Sequence, residues 1–306
     1  MTNAVRPRDA AADGRREMSV VVYGVTKVDH PEPEPAPTGL GEAGGPVHLV
    51  RLGPLAAAVS ATAKLGVLGE QEAMRHIDIL RLLLESGPVL PMRLGTVAPD
   101  EETVRKEVLA PVGDVLPERL DAVDGFVELR VEAEEDERTA LAAVLPGSPL
   151  AGTTLPADVE GRIRLGEQVA DLVVARRIAQ AEDLLALLRP LARDDRSRRR
   201  HGGPEDPVLS WAFLVAADDV GAFGDALRRA RVAHPELVIE QAGPLPAVSF
   251  VDLPPELGGR LTPDDPSAGW TGRPGEPAAG DTFAGTGRWG WGAADDRTDE
   301  RKGEES

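Results

Sequence analysis

Cysteine is absent from the 306 residues. That excludes disulfides, thiolate metal sites, iron–sulfur clusters and every cysteine nucleophile. Aromatic residues are scarce, at 3% of the chain. No run approaches the ~18 consecutive apolar residues that a membrane-spanning helix needs. The first 17 residues are polar and lack the apolar stretch of a secretory signal, so none is expected in them and the chain reads as cytoplasmic. Basic residues are outnumbered, 34 Lys and Arg against 52 Asp and Glu, for a formal charge of −18. A phosphate backbone rewards clustered cations, so this balance argues against a nucleic-acid partner. Glycine and proline are plentiful instead, 33 and 27 residues, and part of the length is therefore loop or tail. The remaining length points to about two domains.

Residues 1–17 read as a frayed leader, because they carry charge and small residues with no period. Val20, Val21, Val22, Tyr23, Gly24 and Val25 form a continuous apolar run that predicts a strand buried on both faces. The Pro-rich stretch 30–37 can be neither helix nor inner strand and predicts an extended loop. Two short runs, 47–52 and 55–61, flank Gly53-Pro54 and predict a pair of strands joined by a tight turn. Between 70 and 86 the apolar spacing becomes helical, and Gly87-Pro88 ends that helix. Residues 89–97 read as one strand, with Pro91 placing it at a sheet edge or at a bulge. Alternation over 126–132 predicts a half-buried strand, with Val127, Leu129 and Val131 inward and Glu128, Arg130 and Glu132 outward. A short helix is expected over 136–145. A long one follows over 158–191, with Val174, Ile178, Ala181, Leu185 and Leu188 on one face and Pro190 at its end. The Arg-rich stretch 193–207 reads as a flexible linker, followed by strand, helix and one or two strands up to 251. Residues 260–306 hold 9 Gly and 4 Pro with almost no aliphatics, a composition that cannot offset its ordering entropy. Three of the four Trp (Trp270, Trp289 and Trp291) nevertheless lie there, as an aromatic docking segment would place them.

Catalytic and cofactor motifs are missing. Gly39-Leu40-Gly41-Glu42-Ala43-Gly44 and Gly285-Thr286-Gly287-Arg288-Trp289-Gly290 match a dinucleotide fingerprint in letters only. Neither has the required strand before it and helix after it. The five His share no ligand spacing, so no metal site, cofactor or catalytic residue is assigned. Arg93 stands in an apolar strand context, where a buried guanidinium needs a carboxylate. Glu101, Glu102 or a carboxylate from elsewhere in the fold is the expected partner.

Several blocks, in order, resemble the gas vesicle protein F/L (GvpF/GvpL) family. They are Val21-Val22-Tyr23-Gly24-Val25, Leu49-Val50-Arg51 with Leu55-Ala56-Ala57-Ala58-Val59-Ser60, and His76 followed by Gly87-Pro88-Val89-Leu90-Pro91-Met92-Arg93-Leu94-Gly95-Thr96-Val97. Residues 125–131, Arg164-Leu165-Gly166, 211–215 and Gly243-Pro244 through Ser249-Phe250-Val251 continue the series, so the resemblance covers about 18–252. It implies an α+β protein of two domains, the C-terminal one a modified ferredoxin-like fold. The division expected is 18–122 and 123–258, with a disordered tail over 259–306. It also implies a non-enzymatic role in gas vesicle formation, without cofactor. The partners would be the small hydrophobic shell protein and other accessory Gvp proteins, in the cytoplasm and at the gas vesicle. Signature or interaction residues would be Tyr23, Gly24, His76, Gly87, Pro88, Pro91, Arg93, Gly95, Gly243, Pro244 and Phe250. Leu245, Ala247 and Val248 stand where the family carries aromatics. If the 89–97 strand is an edge, it could accept a strand of the shell protein, with Leu90, Met92 and Leu94 on one side. The alternative is a ferredoxin-like regulatory or ligand-binding module with no gas vesicle role.

Overall fold

The computed structural model describes residues 18–198 and 206–253. The leader, the 259–306 tail with its Trp residues, the second Gly-x-Gly motif and residues 199–205 of the expected linker lie outside the described residues.

Two antiparallel sheets organise the chain. The first contains β1 (Ser19–Lys27), β2 (His48–Leu52), β3 (Leu55–Thr62), β4 (Val89–Pro91) and β5 (Val97–Ala98). The order is β2-β3-β1-β4, with β5 also paired to β1. β1 is central, which is why its sequence is apolar without alternation. Its register with β3 slips between Val22 and Gly24, so Tyr23 is the extra residue of a β-bulge. Val22 and Val25 face one core, while Val21 and Tyr23 face the other. Helix α1 (Glu70–Leu84) closes that second side through Ile79, Leu80 and Leu83.

The chain then descends through a short helix α2 (Glu101–Thr103), a π turn (Val104–Leu109), a 3-10 turn (Ala110–Val112) and α3 (Leu116–Val123). Asp100 caps the start by accepting from the Thr103 backbone N–H at 2.7 Å. Val104, Val108, Leu109, Val112, Leu116 and Leu120 are all buried.

The second sheet contains β6 (Phe126–Glu135), β7 (Asp194–Ser197), β8 (Leu209–Ala216) and β9 (Leu237–Leu245), in the order β7-β8-β6-β9. Helices α4 (Glu137–Val144), α5 (Val159–Leu188) and α6 (Val220–Ala233) complete this half. Asp136 and Asp158 cap α4 and α5 by accepting backbone N–H groups of the first turns. One face of the sheet packs on α5 and α6 through Leu129, Val131, Phe213, Leu184, Leu188, Phe223 and Leu227. The other face, through Ala212 and Leu214, joins the core beneath the first sheet. That shared core also takes in Ala247, Phe250, Val251 and Leu253 of the final described segment.

Four expectations are corrected. Residues 194–197 are not linker but the outer strand β7, because Asp195 and Arg196 pair with Phe213 and Ala212 of β8. The α5 face is rotated. Val173, Gln180, Leu184, Leu185 and Leu188 are buried while Ile178 is half exposed, since the helix lies against both β6 and α6. The 89–97 segment breaks after Pro91 into β4 and β5, both on β1. The polar side of β6 is only partly solvated: Glu128 is fully buried while Arg130 and Glu132 are half-buried, because the second face of this sheet is also a core face.

Candidate functional site

The N-terminal signature residues converge where β1, β4 and α1 meet. The bulge at Tyr23 turns its ring toward α1, 5.6 Å from the His76 ring. The Tyr23 hydroxyl lies 2.7 Å from Ser60 Oγ on β3 and accepts the Leu40 N–H at 2.7 Å. Burial pushes the Tyr23 phenol above its usual pKa, against the lowering influence of those two bonds. His76 projects from α1, donates Nε2–H to the Met92 carbonyl at 3.1 Å and is almost fully buried. Burial holds its pKa down, from the usual 6.5 to about 4, with the Met92 bond opposing weakly. Its Nδ1 has no hydrogen-bond partner among the described residues. The imidazole is thus neutral at physiological pH and serves as a donor to the backbone of the segment leaving β4.

Gly24 sits opposite Pro91 in the ladder. A Cβ there would stand 2.7 Å from Val89 Cγ2 and 2.9 Å from the Leu90 oxygen, so only glycine lets β4 lie this close to β1. The Pro88 carbonyl accepts the Thr26 hydroxyl at 2.7 Å. Gly87 abuts the His30 ring, whose nitrogens lie 2.8 and 2.9 Å from the Pro31 and Leu83 carbonyls. Gly95 has φ +86°, in the turn linking β4 to β5.

Arg93 is corrected. It lies in that same turn, exposed, and its guanidinium pairs with no carboxylate among the described residues. Glu101 instead binds His48 at 3.0 Å and Arg105 at 3.0 Å, and Glu102 binds Lys106 at 3.1 Å. Because the strand ends at Pro91, Arg93 escapes the buried context that its apolar neighbours imply. The edge for strand addition changes too. β4 pairs only with β1, but Leu90 and Met92 fill the shared core while Leu94 packs into the opposite one. His76 already occupies the Met92 carbonyl.

The first Gly-x-Gly loop folds back on this corner. Gly39 N–H donates to Gly45, and Glu42 N–H to the Lys64 carbonyl. Strand β2, not a helix, follows it. A neighbouring depression is lined by Glu42, Lys64, Glu72 and Arg75, two charges of each sign, which select neither an anion nor a cation.

Gly243, Pro244 and Phe250 form a separate group on the second sheet. The β6–β9 register slips between Glu128 and Arg130, opposite Gly243-Pro244. Gly243 has φ +126°, and a Cβ there would stand 2.8 Å from the Glu128 carbonyl oxygen. Two of the four expected signature glycines, 24 and 243, therefore sit at sheet irregularities.

Beside Gly243 lies a buried network that sequence reasoning missed. The Glu128 carboxylate accepts Arg130 Nε–H at 2.6 Å, Ser249 N–H at 2.8 Å and the Ser249 hydroxyl at 2.9 Å. Arg196 binds the Ser249 carbonyl at 2.6 Å and both Asp252 oxygens at 2.9 and 3.0 Å. Its guanidinium also lies 5.1 Å from the centroid of the Phe250 ring. This network straps residues 247–253 across the sheet. The apolar run ending in Ser249-Phe250-Val251 was the available signal, since it needs a face to cover and the polar side of β6 is that face. Small Ala247, in place of an aromatic, is buried in the shared core.

Among the described residues no three His, Cys, Asp or Glu stand together as a metal site, and no helix is long and apolar enough to cross a membrane. Tyr23 and Glu128 spend their polar atoms on backbone and neighbouring side chains, and His76 spends its Nε2–H on the Met92 carbonyl, which suits a rigid scaffold.

The family model of gas vesicle synthesis protein GvpL/GvpF matches residues 19–252. The gas vesicle protein F of Streptomyces sp. (strain CB03234) is 33% identical over 244 residues, covering 77% of this chain and 100% of that protein. The crystal structure of GvpF from Anabaena sp. PCC7120 superimposes with a TM-score of 0.65 at 20% identity, over 78% of this chain and 97% of that one. That of GvpF from Microcystis aeruginosa gives 0.62 at 21% identity, over 77% and 99%.

Proposed function

Because the chain belongs to the gas vesicle synthesis protein GvpL/GvpF family, we propose that it is a non-enzymatic assembly protein that binds the small hydrophobic shell protein and other accessory Gvp proteins while the vesicle forms. The observation that carries this reading is the extent of the family match. It runs from the first residue of β1 to the strap at Asp252 and takes in both sheets. The signature residues within it pack strands and hold turns, so the family pattern specifies a scaffold and leaves its surface for partners. We also infer two units, 18–122 and 123–258, fused through the shared core. The β-α-α-β-β-α-β order of the second, one helix more than β-α-β-β-α-β, with strands β7-β8-β6-β9, supports the modified ferredoxin-like description. The protein works in the cytoplasm, at the growing vesicle. Co-expression of the tagged full chain with shell protein tests the proposal. Capture of shell protein on the tag is the expected result. A folded, tagged chain that captures none overturns it.

A further inference from the structure

We propose that the C-terminal tail docks in cis on the exposed N-terminal half of α5, through Trp289 and Trp291. Helix α5 has 30 residues and is therefore about 45 Å long. Its last turns are buried on the second sheet through Leu184 and Leu188. The same face continues backward at helical spacing through Val173, Ala170, Gly166, Ile163 and Val159. There the sheet has ended: Ile163 is 58% and Val159 63% exposed, and Leu155 just ahead of the helix is 70% exposed. At Gly166 nothing stands within 4 Å of where a Cβ would be, which leaves an open notch in the stripe. A core-facing helix face thus runs out into solvent.

The chain itself carries a suitable cover. The 53 residues after Leu253 lie beyond the family match. They hold four of the ten aromatic residues, Trp270, Phe283, Trp289 and Trp291, but only two aliphatics larger than alanine, Leu257 and Leu261. Such a composition suits aromatic anchoring rather than a core of its own. In an extended backbone Trp289 and Trp291 project to one side about 6.6 Å apart. Val159 and Ile163 stand about 6 Å apart along the helix. Gly287, Gly290 and Gly292 allow the backbone to lie close to the helix. The charges match as well. Glu167 and Asp171, flanking the stripe, have no basic partner among the described residues, and Arg288 directly precedes Trp289. Reach is ample, because the stretch from Leu253 to Trp289 spans up to about 120 Å, against a radius of about 18 Å for the folded part.

Hydrogen exchange on the full chain at low micromolar concentration tests this. The expected result is slowed exchange over 159–170. Trp289→Ser with Trp291→Ser should accelerate it about tenfold while leaving α5 near Leu184 unchanged. Glu167→Arg should lose the protection, and adding Arg288→Glu should restore it. Identical exchange in the wild type and the double Trp variant overturns the proposal. So does protection that appears only as concentration rises, which would make a second copy the occupant, or only when another protein is added.

Discussion

His76 gives the sharpest quantitative test of the packing at the β1–β4–α1 corner. Its imidazole is buried and bonded by one nitrogen to the Met92 carbonyl, and its pKa is held at about 4 instead of 6.5. The unfolded chain therefore binds a proton between those values while the folded chain does not. Stability rises with pH across that window and is lost as pH falls from 6.5 toward 4. The full window corresponds to about 3 kcal/mol, and the part between pH 7 and 5.5 to about 1.4 kcal/mol. The perturbation is His76→Leu, which keeps apolar volume, abolishes the titration and leaves the Met92 carbonyl unpaired. At pH 7 the variant should be less stable by about 1–3 kcal/mol. By pH 5.5 the gap should narrow by about 1.4 kcal/mol, because only the wild type loses this contribution. Carboxylates elsewhere titrate in both proteins and cancel in the difference. Urea unfolding of both at pH 7, 6.5, 6 and 5.5 gives the comparison directly. A gap that stays constant over this range would refute the argument, as would a His76 NMR titration midpoint near 6.5.

Three further outcomes follow from the same geometry. Glu128→Ala leaves Arg130 and the Ser249 N–H without their acceptor and should cost about 3–5 kcal/mol, with accelerated exchange over 247–253. A loss below 1 kcal/mol would mean that the strap is held otherwise. Gly24→Ala forces a methyl group to within 2.7 Å of Val89 Cγ2 and 2.9 Å of the Leu90 oxygen, and should cost about 1–3 kcal/mol by moving β4 off β1. An unchanged melting temperature contradicts that. Arg93→Ala, at an exposed turn without an ion pair, should change stability by no more than about 0.5 kcal/mol. A loss of several kcal/mol would restore it to a buried pair.

Much of the architecture is legible in residue patterns because it depends on local chemistry. Asp100, Asp136 and Asp158 mark helix starts as N-caps, Gly87-Pro88 ends α1, and the unbroken valines of 20–25 announce a strand with cores on both sides. What escaped prediction depends on partners distant in sequence. Glu128 alternates like a solvated residue, yet Ser249, 121 positions later, folds over it. Asp195 and Arg196 look like linker until Phe213 and Ala212 supply the other half of a ladder. Arg93 looks buried because its neighbours are apolar, but the break after Pro91 turns it outward. The residues expected as a family signature are legible in the sequence only as letters. Their roles, two glycines at sheet irregularities and a histidine bonding a main-chain carbonyl, came only with the geometry.

The most direct measurement of the proposed role is an in-frame deletion of the coding sequence in the native host. Shell protein level is followed by immunoblot and vesicles are counted by electron microscopy. If the chain is an assembly protein, shell protein is still synthesised but vesicles are absent or sharply fewer, and the intact gene restores them. Undiminished vesicles in the deletion strain would contradict the account.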